Sequence, residues 1–591
     1  MVSRKAGSAF LLLLAALAVA GCGGGAGGGA TDPTDPTDPT GPTDPDAVTS
    51  LRSLISTLGL TGDPSRGLEQ ARPAEVPLVN LGMQLFFSRT LSGQMDTSCA
   101  TCHTPDLGGG DGLSLSVGIG AVNPEVIGLG RVMDPDRDLS SRKDGGPNMS
   151  RNSMTTFNAG LWSRALLFDG RVFVLGDGDT TGGTGQLIRT PESSNNADPD
   201  SGNALLEAMM RFPMMNNDEM RGFMYPELVD PKAYRERILD RLRGLEDQSY
   251  MRVNGAANWH AMFEQVFGPA TGGESPITMM RVQQALAAYL RSQIFIDNHW
   301  KRFVEGDTAA LSEQAIAGAR LFLTPLEQGG LGCAGCHQGD LFSDQKFHNV
   351  GFPQVGRGLR NNGADFGRGE LPIDGRGAQD DHAFRTPSLL NIEVTGPYGH
   401  AGAFAELEHV IRYHANPRAE VDSFPFDYSH LPQAQGVDGR VLYPNSEPRT
   451  RELLEAESFA SAEARLPRRA LTDTEVAQLA AFLRSLTDQC VADSTCRNQW
   501  SPQPEQDPDG NMLIPGQPFV RGPEPNASGY PAYVDLTFPA VTPRNGFADM
   551  QGCSANLGAA NDNLPRFRNV AANRNADVWQ IFAPTTWIGD D

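Results

Sequence analysis

The sequence predicts a mainly α-helical protein in which one structural unit occurs twice. Apolar residues recur at helical spacing wherever a clear period exists, and Thr472 and Glu475 form a capping box at the start of one such segment. A Gly-x-x-Leu-Phe segment also precedes a Cys-x-x-Cys-His motif at two places in the chain. Repetition of a whole unit indicates two similar domains in tandem. The 591 residues suffice for two to four domains of about 150 residues each.

Each unit is predicted to begin with a helix that leads into its cysteine motif. Residues 82–86 and 318–322 carry the repeated segment, and Ser312 is the predicted N-cap of the second helix. The helix over residues 472–486 closes the second unit, with its apolar side chains on one face. The predicted architecture is therefore two tandem helical domains with long loop insertions and an irregular C-terminal extension.

The two cysteine motifs predict covalent haem attachment. Their spacing suits c-type haem, because two thiols form thioethers to the vinyl groups and the adjacent imidazole reaches the iron. A zinc site would need more Cys or His nearby, and a redox dithiol would not need His twice. We therefore expect two cytochrome c-like domains, each with one haem, held by Cys99, Cys102 and His103 in the first and by Cys333, Cys336 and His337 in the second.

The N-terminus predicts export. Arg4 and Lys5 precede an apolar run over residues 10–20, too short to span a bilayer and typical of a signal peptide. The run ends in Val-Ala-Gly-Cys22, which resembles a bacterial lipobox, so residues 1–21 would be a lipoprotein signal and Cys22 the lipidated residue. The alternative is an ordinary secretory signal. Gly23 lacks the Asp that retains lipoproteins at the inner membrane, which favours outer-membrane anchoring in the periplasm or at the cell surface.

Composition and spacing suggest the remaining boundaries. The Gly-rich and Thr-Asp-Pro stretch over residues 22–48 predicts a disordered linker. Residues 49–305 would form the first haem domain, with a surface insertion at 175–203, and residues 306–488 the second. Residues 489–591 would be the irregular extension, in which Cys490 and Cys496 suit a disulfide. Cys553 is then left over, so the pairing stays open.

The formal net charge of −23 excludes nucleic acid and anionic membrane surfaces as favourable partners. A membrane contact would then run only through the lipid anchor. The charge suits a basic protein partner, but solubility is the better explanation.

Several short segments around the two motifs occur in a diagnostic order. The chain resembles the bacterial di-haem cytochrome c peroxidase family, which includes the di-haem enzymes that mature methylamine dehydrogenase. The resemblance covers roughly residues 78–486. It rests on Leu81-Gly-Met-Gln-Leu-Phe86, Ser98-Cys-Ala-Thr-Cys-His103, Arg151-Asn-Ser-Met-Thr155, Phe168-Asp-Gly-Arg171, Asn217-Asp-Glu-Met220, Phe384-Arg-Thr-Pro387 and Thr395-Gly-Pro-Tyr-Gly-His400.

The resemblance implies a role for each haem. The haem at His103 would carry the peroxide chemistry, and the haem at His337 would receive electrons. Glu219 falls at the position of the family's catalytic acid, where a carboxylate can move a proton between the two peroxide oxygens. Asn152, Thr395 and Pro397 match positions that hold a calcium ion between the domains, although a capping Asn and a turn explain them equally well.

Three departures from the family pattern affect mechanism. Ile119 stands where many members carry a displaceable distal His, so we expect the first haem to be open when oxidised; the alternative is a closing ligand from a nearby methionine. Phe168 replaces a Trp between the haems, which makes electron hopping through this side chain doubtful. The methionines that could supply the closing ligand of the first haem are Met133, Met149 and Met154.

The third departure concerns the second haem. His414 occupies the position of the usual distal Met, and its spacing from Leu407 puts it on the apolar stripe of a helix, whereas His409 falls on another face. Tyr413 is an alternative ligand shifted by one residue. A His/His pair lowers the reduction potential relative to His/Met.

The resemblance predicts a peroxidase that reduces hydrogen peroxide to water with electrons from a small cytochrome c or copper protein. A related oxidase of a protein side chain or small organic substrate is the first alternative. A non-catalytic electron-transfer cytochrome is the second, and the oligomeric state, a homodimer included, stays open.

Overall fold

The computed structural model describes residues 44–515, except 69, 135–145, 177–179, 194–195, 247–253, 271, 361, 372–376 and 435–437. The predicted signal peptide, Cys22, most of the linker and Cys553 lie outside the described residues. Within the described ranges, no helix combines the length and apolarity needed to cross a membrane.

Helices dominate the described chain, as the sequence predicts. The ones that precede the second cysteine motif are α1 (Pro45–Leu58), α2 (Pro77–Phe87), α3 (Cys99–Cys102), α4 (Leu205–Met209), α5 (Pro231–Arg243), α6 (Gly255–Phe267), α7 (Met279–Arg291), α8 (His299–Glu305) and α9 (Glu313–Leu323). Those that follow it are α10 (Leu407–Ala415), α11 (Pro417–Glu420), α12 (Gly439–Leu442), α13 (Ser446–Leu454), α14 (Glu457–Glu463), α15 (Asp473–Arg484), α16 (Gln489–Ala492) and α17 (Ser494–Arg497). A π-helical turn covers Asn217–Arg221.

The predicted start signals of the two second-unit helices are confirmed. Ser312 accepts a hydrogen bond from the Ala315 N–H at the start of α9. Thr472 and Glu475 form the reciprocal capping box of α15. Helix α1 begins at Pro45, within the range predicted as linker, because Asp44 caps it and proline fits the first helical position.

The same helix packing occurs in both units. Helix α2 packs on α7, and α9 packs on α15. A Cβ at Gly82 would overlap the carbonyl oxygen of Ala285, and one at Gly318 would overlap that of Gln478. Because each glycine lets two helix backbones approach closely, the repeated Gly-x-x-Leu-Phe segment marks a contact that any larger side chain would push apart.

Two large hydrophobic clusters form most of the core of the described residues, and the N-terminal and C-terminal segments each pack on the cluster of the other unit. The first cluster gathers buried side chains from residues 79–295 together with Trp500 and Leu513. The second gathers those from residues 294–486 together with Leu51 and Ile55 of α1. The N-terminal helix therefore packs with the second motif, whereas the segment after α15 packs with the first.

The strands are short and lie in two small antiparallel sheets. Strands β1 (Ala165–Leu166), β2 (Val172–Leu175) and β3 (Leu187–Arg189) pair in that order, and β4 (Phe347–His348) pairs with β5 (Phe384–Arg385). Strand β3 lies within the predicted surface insertion, and its Ile188 is buried in the first cluster. The predicted surface insertion at residues 175–203 thus contributes to the core, because cross-strand pairing with β2 draws Ile188 inward.

The segment after α15 is ordered against the first unit as far as residue 515. Cys490 and Cys496 form the predicted disulfide. The Tyr289 hydroxyl donates to the Trp500 carbonyl at 2.7 Å. Asp509 is fully buried and accepts hydrogen bonds from Trp259 Nε1 and Thr90 Oγ1, both at 2.7 Å.

Replacing Asp509 tests whether this segment stabilises the first unit. Asp509→Ala should lower the free energy of unfolding by about 2–4 kcal/mol, because it leaves two buried donors without an acceptor. Chemical denaturation followed by circular dichroism measures the change. Glu505→Ala, at an exposed position nearby, should shift it by no more than about 0.5 kcal/mol. Equal, small effects of both substitutions would show that the segment contributes little to stability.

Candidate functional site: two histidine–cysteine centres

The first Cys-x-x-Cys-His motif presents its imidazole in a fixed orientation. Ser98 and Thr101 cap α3 reciprocally, and His103 follows directly at its C-terminal end. The His103 Nδ1 lies 2.9 Å from the Met154 carbonyl oxygen and 3.1 Å from Ser153 Oγ. A ring nitrogen that faces a carbonyl must donate, so Nδ1 carries the proton and Nε2 keeps its lone pair for a metal.

The second motif repeats this arrangement. Cys333–Gly335 form a single 3₁₀ turn, and the His337 Nδ1 lies 2.9 Å from the Phe342 carbonyl oxygen. Burial lowers the pKa of His337, as it does that of His103, so both rings are neutral. A neutral imidazole whose Nδ1 is bound to a carbonyl is the form that coordinates iron through Nε2.

His414 on α10 lies opposite His337. The two ring centres are 6.4 Å apart, and the ring planes cross at 67°. If one metal ion lay between the two rings, each metal–nitrogen bond would be about 2 Å long. These two bonds, together with the distance from each nitrogen to the centre of its ring, add up to roughly the observed separation of the ring centres. Burial and the neighbouring His337 lower the pKa of His414 to about 3.

Tyr413, the alternative ligand, is directed elsewhere. Its side chain is completely buried, and its hydroxyl donates to the Gly351 carbonyl at 2.9 Å. The structure buries Tyr413 more completely than His414, which is half-buried. The reason is an aromatic cluster that encloses Tyr413, formed by Phe352, Phe404 and Phe424.

The donor set fits haem better than zinc. Among the residues that the structure describes, neither His103 nor His337 shares a group of three or more metal-ligating side chains, as a zinc site would require. In the described part of the chain, one metal-sized group of ligand atoms occurs, formed by Cys336, Asp344 and His348. It uses a motif thiol that thioether formation would consume. The residues present therefore fit two covalently attached haems, with His103 and His337 as proximal ligands.

Glu219 lies on the π-helical turn beside the first motif. The neighbouring Met220 Sδ is 3.9 Å from Cys99 Sγ. Asn216 Nδ2 donates to Glu219 Oε1 at 3.0 Å. Burial and, to a lesser degree, the charge of Asp218 raise the pKa of Glu219 to about 7, although the charge of Arg171 opposes the shift. A carboxyl group that titrates near neutrality can both accept and release a proton there.

Ile119 is buried directly against this turn. Its N–H donates to the Asp218 carbonyl at 3.3 Å, and a Cβ at Gly118 would overlap the same oxygen. Asn148 joins the two segments, since it accepts from the Gly118 N–H at 2.8 Å and donates to the Asp218 carbonyl at 2.9 Å. The loop with Ile119 and the turn with Glu219 thus form one wall beside Cys99 and Cys102.

The three candidate methionines occupy different places. Met133 is buried beside Val117 and Ala121. The Met149 N–H donates to the Ser116 carbonyl at 3.2 Å. Met154 lies on the Nδ1 side of His103, which it contacts through its carbonyl oxygen.

Sequence reasoning missed Arg131, which holds the Ile119 loop. Its buried guanidinium donates to the Val117 and Gly118 carbonyls, both at 2.6 Å, and also to Pro124 and Val126. Burial lowers its pKa. An isolated Arg in a loop gives no pattern that separates this role from a solvated side chain.

Phe168 lies where the two units meet. Its carbonyl accepts from the Arg385 N–H at 2.7 Å, and this backbone contact joins the Phe168-Asp-Gly-Arg segment to β5. The Arg385 guanidinium stacks 3.4 Å from the ring centre of Trp162. Burial lowers the pKa of Arg385 to about 9.

Arg151 also joins the two units. Its guanidinium binds Asp169 in the first unit and Asp365 in the second, both at 2.6 Å. This charge holds the pKa of Asp169 well below its usual range, although burial opposes the shift. Replacing Arg151 would leave the buried Asp365 without its ion pair and Asp169 with Arg171 alone, so Arg151 is a structural link between the units.

The residues predicted to hold calcium lie around one loop of the first unit. Asn152 Nδ2 donates to the Leu113 carbonyl at 2.8 Å, and its N–H to the His400 carbonyl at 2.8 Å. Thr395 precedes the cis Gly396–Pro397 bond, and its Cα lies close to Gly108. Asn152 and Thr395 thus both adjoin residues 108–113.

Comparison with known proteins agrees with this geometry. The family model described as di-haem cytochrome c peroxidase matches residues 77–309. The methylamine utilization protein MauG of Methylorubrum extorquens is 28% identical over 365 residues, which cover 61% of this chain and 76% of that protein. The cytochrome c551 peroxidase of Pseudomonas aeruginosa is 25% identical over 368 residues, which cover 62% and 80% respectively.

A third relative, the cytochrome-c peroxidase IdrP1 of Denitromonas iodatirespirans, is 28% identical over 370 residues, covering 58% of this chain and 74% of that protein. Among solved structures, the di-haem peroxidase BthA of Burkholderia thailandensis aligns with a TM-score of 0.43 and 20% identity, covering 78% of this chain and 93% of that one. The match over residues 77–309 and the second motif at residues 333–337 place this chain, as an oxidoreductase, in the di-haem cytochrome c peroxidase family.

Proposed function

We propose that the protein reduces hydrogen peroxide to water with electrons from a small extracytoplasmic redox protein. The observation that carries this proposal is Glu219, a half-buried carboxyl group with a pKa near 7 beside the first haem-binding motif. The reaction joins one peroxide with two protons and two electrons to give two waters. The haems supply the redox chemistry when bound, and the protein supplies positioning and proton handling.

Glu219 is the proposed proton carrier. Its carboxylate accepts the proton of the peroxide oxygen nearest the first centre and returns it to the departing oxygen. Asn216 orients the carboxylate through its 3.0 Å hydrogen bond. Ile119 offers no lone pair, so no imidazole from this position closes the distal side, and we propose that the first haem is open when oxidised.

The second centre is the proposed entry point for electrons. His337 and His414 would hold its haem from both faces, supported by their 6.4 Å ring separation. Electrons would then cross to the first centre where Phe168 contacts β5, by tunnelling rather than through a side-chain radical.

The remaining assignments are extensions of the same proposal. Asn152, Thr395 and Pro397 would hold a calcium ion next to residues 108–113, supported by the oxygen atoms that these residues offer. The domain boundaries at residues 305 and 488 would separate the haem domains, with the two terminal segments crossing between their cores. Family members are periplasmic, and lipidation at Cys22 would anchor this protein at the outer membrane.

The pH dependence of peroxide cleavage tests this role of Glu219. Only the ionised carboxylate can accept a proton, and burial raises its pKa to about 7. The second-order rate constant with peroxide should therefore rise with pH through about 7 and level off above about 8. Stopped-flow mixing of the oxidised holoprotein with peroxide across pH 5–9 measures it. A flat profile would remove Glu219 as the proton acceptor.

A second candidate function is oxidation of a protein side chain or small organic substrate. The combination of Ile119, Phe168 and His414 favours it, because a low-potential second centre makes reduction by a typical small cytochrome harder. Counting electrons separates the two functions. A peroxidase consumes two equivalents of reduced donor per peroxide in fast turnover, whereas the oxidase forms a long-lived oxidised state that the donor reduces slowly.

A further inference from the structure

A short basic segment lies against the second centre. Residues 465–469 read Arg-Leu-Pro-Arg-Arg, three positive charges in five positions without an acidic residue. We call residues 465–469 the arginine segment; it connects the end of α14 to the start of α15. We infer that Arg465 and Arg468 form a docking rim for an acidic face of the small redox protein that delivers electrons. This inference rests on the proposed function and identifies the chemistry of its donor.

The arginine segment is fastened to residues on both sides of the second centre. Arg465 Nη1 lies 3.3 Å from Cys336 Sγ in the motif. The Arg468 N–H donates to the carbonyl of Ala415, the residue after His414, at 2.8 Å. Leu466 between them is buried and anchors the segment in the protein. The position of the charges relative to the second centre is therefore set by backbone and side-chain contacts.

The charges of this segment are available to a partner. Arg465, Arg468 and Arg469 are all exposed. Arg469 forms an ion pair with Glu475 at 2.6 Å. Among the described residues, no carboxylate lies within ion-pair distance of Arg465 or Arg468. Two guanidinium groups thus face solvent near the second centre, that of Arg465 beside Cys336 and that of Arg468 on the residue bonded to Ala415.

The exposed residues of the motif loop next to Arg465 carry no charge. Gly335, Gln338 and Gly339 are the exposed residues of the motif loop. Asp340 is turned toward the end of α1, where it accepts hydrogen bonds from the Thr61 and Gly62 N–H groups at 2.9 and 2.7 Å. Glu327 is an exposed carboxylate before the loop. Small neutral side chains bordered by cations suit transient docking. The small side chains let a partner approach closely, and the cations at the rim orient it.

The local charge is opposite to that of the whole chain. A net charge of −23 repels an acidic protein from most of the surface. Attraction confined to the second centre would therefore orient an acidic donor toward its point of electron delivery. The total charge alone suggests a basic partner, and the arginine segment reverses that expectation at the site that matters for electron entry.

The test measures reduction of the second haem in the holoprotein by stopped flow. The donors are two pre-reduced small c-type cytochromes of similar potential, one with an acidic and one with a basic surface. Ionic strength is varied from about 0.01 M to about 0.15 M, over which the Debye length falls from about 30 to about 8 Å. With the acidic donor, the bimolecular rate constant should fall roughly tenfold or more across this range.

Charge reversal locates the effect. Arg465→Glu with Arg468→Glu should lower the low-salt rate constant with the acidic donor by roughly tenfold or more and make it rise with ionic strength, because only repulsion is then left to screen. The single variant Arg468→Glu is compared with Lys232→Glu, which makes the same charge change at an exposed position on α5 of the first unit. Only Arg468→Glu should slow reduction clearly. Binding of the oxidised acidic donor, measured by titration calorimetry, should weaken in parallel.

Faster reduction by the basic donor, or equal rates in Arg468→Glu and Lys232→Glu, would overturn the inference. A neutral quinol should reduce every variant at the wild-type rate, which shows that the second centre is intact. Peroxide turnover with that quinol tests the proposed function separately. Loss of turnover with retained charge effects would reject the peroxidase but keep the docking rim.

Discussion

Glu219→Gln should slow peroxide cleavage by roughly 10²–10⁴-fold, the usual contribution of a positioned acid–base group. The amide keeps the size of the side chain and can still contact Asn216, but it cannot take a proton from peroxide. The rise of the rate through pH 7 should disappear with it, because the group that titrates there is gone. Stopped-flow measurement of the reaction with peroxide gives both results.

Asp218→Asn is the matched control, since it changes the neighbouring carboxylate on the same turn. Asp218 raises the pKa of Glu219, so this variant should keep a near-normal maximal rate and shift the pH profile to lower pH. Electron paramagnetic resonance of the oxidised proteins should show one high-spin and one low-spin haem in the wild type and in both variants. Two low-spin signals in the wild type would mean that a ligand closes the first centre despite Ile119. Normal cleavage in Glu219→Gln would remove this residue from the mechanism.

The features that sequence analysis predicted depend on local chemistry. The caps at Ser312 and Thr472 involve residues three positions apart, and the two Cys-x-x-Cys-His motifs carry their attachment groups within five residues. His414 was predicted from helical spacing and from its place after the second motif. The structure adds that it faces His337 while Tyr413 is turned into an aromatic cluster. One residue of register separates these two options, and only tertiary packing distinguishes them.

The features that sequence analysis missed depend on contacts between distant residues. Helix α1 packs on the second cluster, and Trp500 packs in the first. Burial of apolar surface is favourable whether or not the contacting residues are close in sequence. Arg131 looks like any loop arginine until the carbonyls of Val117 and Gly118 converge on it. The arginine segment is visible as three charges in five residues, but its position beside Cys336 is not. The spacing of apolar residues and short sequence motifs do not show which distant residues contact each other.

His414→Met should raise the reduction potential of the second haem by a clear fraction of the roughly 0.8 V range that axial ligands set. Methionine is a weaker donor to ferric iron than imidazole, so His/Met ligation favours the reduced state relative to His/His. Spectroelectrochemical titration of the holoprotein measures the potential. Reduction by a small cytochrome should become faster in the variant, because the electron transfer is then more favourable.

The neighbouring residues on α10 provide the controls for this substitution. Tyr413→Phe removes only the hydroxyl bound to the Gly351 carbonyl, so the potential should stay close to that of the wild type. His409→Met adds a methionine on a part of α10 that packs against Phe404 and His430, away from His337, and should also leave the potential unchanged. A potential that moves in Tyr413→Phe but not in His414→Met would identify Tyr413 as the ligand. It would also mean that the 6.4 Å separation of His337 and His414 reflects packing alone.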